Sequence, residues 1–369
     1  MKKLFAYIAC LCVGSMLFLG KLNAQNLKNK QQIVQPNHYK SNFSLFPLIY
    51  YSPETKIGLG VANIYLFKAD STTRTSSIES VVVFTQKKQI IVEPVWTIFT
   101  KKERYLIRGI AAYNKFPEFF YGIGASKTST FKENIEYEYI KFNAQVLKKT
   151  LPKLFVGAQC QLYDTYNIHY QENSSIVPNS FFGYSSSFVS GLGLAMVYDS
   201  RDDINTPQKG IYAEFSNVVY GKYVGSQYQF NNYIVDLRHY KKITKQGVLA
   251  TQLYANLNFG EVPFKQMGTF GGAFLMRGYY NGRFRNNHSL ALQTEYRHSI
   301  ANTRWGFTLF AGAADVSNKI TNFRLSDAKL TAGAGIRFRL FKNDRASIRI
   351  DGGLGYKSKG FYANFTEAY

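Results

Sequence analysis

Five histidines, His38, His169, His239, His288 and His298, are the first groups to weigh for metal or acid–base chemistry in this 369-residue chain. None stands in a ligand spacing such as H-E-x-x-H. His288 and His298 fall in one candidate strand, about 33 Å apart along it, too far to share an ion. A lipase needs a serine and a histidine close together on one face, and no serine of its own segment is spaced to meet His239. Asp199, Arg201 and Asp202 could be an acidic metal site. In an extended segment, however, Asp199 and Arg201 share a face, which favours an ion pair between them. The chain is therefore not read as an enzyme: no catalytic residue, metal or cofactor is expected.

The stretch GGAFLMRGYYNGRF, 271–284, sets Arg277, Gly278 and Tyr279 among glycines and aromatics. A guanidinium in such surroundings is costly to bury unless it meets a carboxylate, and the glycines let backbone approach a wall closely. Arg337, Arg339, Arg345 and Arg349 form a second basic group, to be balanced by Asp351, Glu295 and solvent.

The elements that must position these groups begin after residue 24. MKKLFAYIACLCVGSMLFLGKLNA, 1–24, has two lysines, an apolar run and a small residue before Gln25, the layout of a secretory signal peptide. Cys10 and Cys12 leave with it, so only Cys160 remains and no internal disulfide is expected. Removing Lys2, Lys3 and Lys21 takes the formal charge from +22 to about +19. A basic exported chain meets anionic lipid or lipopolysaccharide rather than nucleic acid. Tyr and Phe number 28 and 30, a load that suits bilayer interfaces.

No later stretch is apolar enough for a spanning helix. Strands remain, and in lipid they can cross only as a closed barrel with one apolar face and one polar face. The alternation can be read directly. Leu249, Thr251, Leu253, Ala255, Leu257 and Phe259 share a face opposite Gln252, Tyr254, Asn256 and Asn258. Leu290, Leu292 and Tyr296 oppose Gln293, Glu295 and Arg297 in the same way, and Ile336 and Phe338 oppose Arg337 and Arg339. Sixteen such segments run from 43–51 to 360–369, the fifth at 104–114, the eleventh at 247–260 and the twelfth at 288–300. An even count puts both ends in the periplasm, and 261–287 becomes the longest outer loop. The expected organisation is a signal peptide, a short periplasmic leader at 25–42, and an all-β, antiparallel transmembrane barrel at 43–369.

Three segments carry a resemblance. YDSRDDINTPQKGIYAEF, 198–215, is similar to the D-x-R-D-x-x-x-x-P-x-x-G element of the bacterial surface antigen family, the barrel of BamA/TamA-type outer-membrane assembly proteins, through Asp199, Arg201, Asp202, Pro207 and Gly210. FLMRGYYNGR resembles that family's Arg-Gly-aromatic motif, and the ending through Tyr369 resembles its last three strands. The resemblance implies that the loop between the eleventh and twelfth strands tucks into the lumen with Arg277 as anchor; Glu295 and Asp315 are its candidate partners. The family's F-x-D-x-G element has Gly312 at the aspartate position here. Its periplasmic polypeptide-transport-associated domains are not seen.

The resemblance further implies a seam between the first and last strands, 43–51 and 360–369, that opens laterally to assist insertion or translocation of nascent outer-membrane proteins. A leader so short implies a separate periplasmic or membrane-anchored partner. The competing reading is a passive or structural barrel with a loop-plugged pore.

Overall fold

The computed structural model describes residues 41–52, 56–124, 131–339, 347–365 and 367–369. The expected signal peptide and all but the last two residues of the leader lie outside the described residues. From there the chain is a single run of strands: β1 (Asn42–Ser52), β2 (Lys56–Phe67), β3 (Ser76–Thr85), β4 (Ile90–Phe99), β5 (Tyr105–Phe120), β6 (Glu133–Leu151), β7 (Leu154–Tyr170), β8 (Ser187–Asp199) and β9 (Gly210–Tyr220). It continues with β10 (Phe230–Lys242), β11 (Gly247–Gly260), the short pair β12 (Gly268–Phe270) and β13 (Phe284–Asn286), then β14 (His288–Ser299), β15 (Trp305–Ser317), β16 (Lys329–Arg339), β17 (Ser347–Gly355) and β18 (Ser358–Phe365).

Sixteen of these form one antiparallel sheet in chain order, β11 passing directly to β14, while β12 and β13 pair with each other in the connection between them. β1 and β18, the two ends of the sheet, lie side by side. Sequential pairing through short turns is the simplest antiparallel topology. It pairs the backbone of each strand with that of the next, as lipid requires.

The side chains are inverted relative to a water-soluble protein. On β14, Leu290 and Leu292 are exposed on the outside, whereas Ser289, Gln293 and Glu295 are buried on the inside. Leu192, Leu194 and Met196 form the same outward apolar row on β8. A coat of exposed aliphatics around buried ionic and amide groups is stable only where lipid covers the coat.

On one rim the connections range from 152–153 to 200–209, whereas the other rim, which also has short turns such as 86–89, carries the three longest, 121–132, 171–186 and 261–287. Bacterial barrels keep short turns towards the periplasm, so the long connections face outward. An outer-membrane barrel resists detergent until heated. Purified protein should run faster on a gel before boiling than after, and identical mobility would contradict the barrel.

Two elements depart from the sequence reading. The fifth strand was expected to end at 114, but β5 continues to Phe120, where its ring packs with Phe264 of the long connection. The last strand was expected to reach 369 but ends at Phe365. Residues 367–369 turn inward instead, because Glu367 finds Arg337 at 3.0 Å and the Tyr369 carbonyl accepts from Arg297 at 2.7 Å. The Tyr369 ring is buried with Tyr240 and Ala250. The aromatic read as a strand end is a core residue.

Candidate functional site

The connection 261–287 folds back as a small hairpin, its strands paired through Gly268–Asn286, Thr269–Arg285 and Phe270–Phe284. Phe270, Tyr279 and Phe284 pack ring against ring within 6 Å, joined by Met276 and by Ala291 and Ala314 of the wall. This aromatic wedge holds the tip, residues 271–283, against the inner face of β14–β18.

At the tip Arg277 is 1% exposed, its carboxylate partners 0%. One guanidinium nitrogen lies 2.5 Å from Asp351 of β17, and another donates to Glu295 of β14. The guanidinium carbon sits 3.7 Å from the centre of the Phe310 ring on β15, so charge and quadrupole act on one group. Burial alone would lower the Arg277 pKa; the two carboxylates carry it above its ordinary value. The carboxylates are shared: Asp351 also accepts from Arg337 at 2.6 Å and Arg349 at 2.8 Å, and Glu295 from Arg297 at 2.7 Å.

Backbone contacts complete the seat. Gly278 N–H donates to the Tyr362 hydroxyl of β18 at 3.1 Å, and that hydroxyl donates to the Tyr279 carbonyl at 3.2 Å. The Tyr279 hydroxyl donates to Leu330 O at 2.7 Å and accepts from Tyr356 N–H at 2.9 Å. Thr331 donates to the Arg277 carbonyl. Gly278 has φ +112°, and a Cβ there would stand 2.8–3.0 Å from the backbone of Leu354 and Gly353. The glycine permits both the conformation and the approach.

Of the two candidate acids, Glu295 meets Arg277 and Asp315 does not: Asp315 is 2.5 Å from the buried Lys329 of β16. The second carboxylate is Asp351, which the sequence reading placed only in a general charge balance. At the usual aspartate position, a Cβ on Gly312 would already stand 2.8 Å from Met276 Sδ. The loop itself fills that space, and the acid comes from two strands further on. The inward alternation of Arg349 and Asp351 was readable; that β17 faces the loop tip was not.

The D-x-R-D element forms the turn between β8 and β9. Arg201 grips Asp199 through two nitrogens at 2.9 and 3.0 Å, and Arg74 adds a third contact at 2.8 Å while holding Glu103 at 3.0 Å. Asp202 accepts from the amides of Gln208 and Lys209, Pro207 is buried, and Gly210 takes φ +110° where a Cβ would meet Ser200 O at 2.4 Å. The element ties three periplasmic turns together, its acids engaged by arginine and amides. A second anchor lies at the outer base of the loop. Lys265 and Arg285 reach Glu118 at 3.2 and 3.3 Å, and burial pushes Lys265 down to about 8 against the pull of Glu118. Nothing but the aromatic density around 261–287 hinted at it.

Apolar outside, with ion pairs and aromatic clusters inside and an arginine-anchored loop against β14–β18, the molecule is an integral outer-membrane β-barrel. The model of the Omp85 superfamily domain matches residues 118–365, and the chain belongs to that superfamily. Similar solved structures include BamA from Haemophilus ducreyi lacking POTRA domains 1–3, at 12% identity and TM-score 0.57, with 89% of this chain covering 70% of that one. CdiB from Acinetobacter baumannii is similar at 10% identity and TM-score 0.55, over 89% of this chain and 66% of that chain. CdiB from Escherichia coli follows at 9% identity and TM-score 0.54, over 90% and 68%. At these identities the likeness is one of fold. No curated protein sequence matches the chain.

Proposed function

We propose that this barrel assists insertion or translocation of outer-membrane proteins through the seam between β1 and β18, with the anchored loop setting the state of that seam. Omp85-type barrels serve outer-membrane protein assembly or secretion, which supplies the coarse reading. The observation that carries the finer one is the character of the seam. β1 and β18 adjoin, yet among the described residues no backbone ladder joins them, whereas every other neighbouring pair of the sheet has one. A strand edge with free N–H and C=O groups is a template for a further strand, and such pairing asks little of the added sequence. The loop touches β18 directly, since the Tyr362 hydroxyl is bonded to both Gly278 and Tyr279.

The test is a disulfide between one cysteine on β1 and one on β18, in a Cys160→Ser background. The oxidised barrel should lose client insertion in proteoliposomes and regain it on reduction. Full activity of the locked barrel would sink the proposal, and unaltered solute flux through it would favour a pore.

A further inference from the structure

We infer that the periplasmic rim is a binding surface for anionic phospholipid headgroups of the inner leaflet. Three outward rows end in the same way. On β6, Val146 is followed on the same face by Lys148; on β10, Leu237 and His239 by Lys241; and Lys209 stands two positions before Ile211, which shares its face of β9 with Phe215. The apolar members Val146, Leu237, Ile211 and Phe215 are among the exposed hydrophobics that lipid must cover, and each lysine is exposed where its row leaves the sheet. A lysine at that level lays its stem along the acyl region and its ammonium among the headgroups. Arg304 repeats the arrangement in the turn after β14, flanked by exposed Ile300 and Trp305, with His298 stacked on Phe307 and Phe338 tilted against Trp305 as an aromatic belt.

The rim's acids do not neutralise these cations. Glu103 is taken by Arg74 and Lys149, Asp199 by Arg74 and Arg201. Asp70 and Asp203 accept from backbone amides of their own turns and neighbours, as Asp202 does. Among the described residues, Lys148, Lys209, Lys241 and Arg304 have no ion-pair partner. Glu103 and Asp199 are held by arginine and lysine, the turn aspartates accept from amides, and the four cations stand exposed. A soluble acidic partner would need the cations gathered on one patch facing the periplasm. Here they are spread over the bases of β6, β9, β10 and β14, each continuing a lipid-facing row, which is the distribution a surrounding leaflet requires. Each basic residue near an anionic membrane surface strengthens the attraction by a factor of about five.

Trp305 reports on the site, since the chain has only one other tryptophan, Trp96. Full-length barrel carrying Trp96→Phe is reconstituted in phosphatidylcholine containing a fixed fraction of brominated lipid, either phosphatidylglycerol or phosphatidylcholine of the same chains. Brominated phosphatidylglycerol should quench Trp305 several-fold more strongly, and the excess should fall away in the quadruple variant Lys148→Gln, Lys209→Gln, Lys241→Gln, Arg304→Gln. Heat-modifiable mobility of that variant confirms that the barrel is intact; should it fail to fold, 1 M salt on the parent protein removes the same attraction. Equal quenching by the two brominated lipids overturns the inference. Equal quenching together with loss of an acidic protein from the variant's cross-linked complexes would assign the rim to that protein instead.

Discussion

Arg277→Ala should release the tip of the 261–287 loop from the barrel interior. The substitution removes two buried ion pairs and the stacking on Phe310. It does not strand the acids, because Glu295 keeps Arg297 and Asp351 keeps Arg337 and Arg349. The cost therefore sits at the low end of the range for breaking a buried pair, about 3 kcal/mol, or roughly a hundredfold shift towards the released loop. Lysine should rescue poorly, since one ammonium cannot reach two carboxylates on β14 and β17 as a planar fork does. Trypsin added to the outer face of intact cells reads the result: cleavage at Lys265, Arg283 and Arg285 should accelerate in Arg277→Ala while the barrel keeps its heat-modifiable mobility. An unchanged digestion pattern would mean that the aromatic wedge holds the loop without the arginine. If seam activity changes in the same variant, the loop and the seam are coupled, as the bonds from Tyr362 to Gly278 and Tyr279 suggest.

The second large effect requires no change of charge. A Cβ on Gly353 would stand 2.7 Å from both the Arg277 carbonyl carbon and the Gly278 nitrogen. These are backbone atoms of the seated loop and cannot swing aside as a flexible side chain would. Gly353→Ala should therefore expel the tip or strain the seat, at a cost of about 1–3 kcal/mol, with every ionic partner still present. Its neighbour is the control: a Cβ on Gly352 would meet only Ala334 O, at 4.0 Å. Gly352→Ala should digest like the parent, and Gly353→Ala like Arg277→Ala. Equal behaviour of the two alanine variants would show that the loop does not rest against β17 as described.

These two variants bear differently on what could be read beforehand. The alternation at 249–259 and 290–297 placed Leu290 and Leu292 outward and Gln293 and Glu295 inward, and the structure has them so. Strand position along such a segment is a local property, since successive side chains must point to opposite faces and lipid accepts only one of them. The need of Arg277 for acids was equally local: a guanidinium among aromatics and glycines is tolerable only when paired. Which acids answer it was not. Asp315 and Asp351 both lie on inward faces, 38 and 74 residues from Arg277 in sequence, and nothing in their own segments separates them. The choice falls to Asp351 because Met276 fills the space beside Gly312 and Lys329 captures Asp315, both consequences of where the loop tip comes to rest. The inward turn of residues 367–369 has the same origin, for Arg297 and Arg337 converge on Glu367 only once β14 and β16 stand beside each other across β15. The sequence by itself determined the strands, their inner and outer faces and the arginine that had to be neutralised, because period-two patterning and burial cost act within a segment. The tertiary structure alone decided the partners, because a barrel brings together residues from strands far apart in the chain, and their distances depend on register and on the path of a loop that no local pattern encodes.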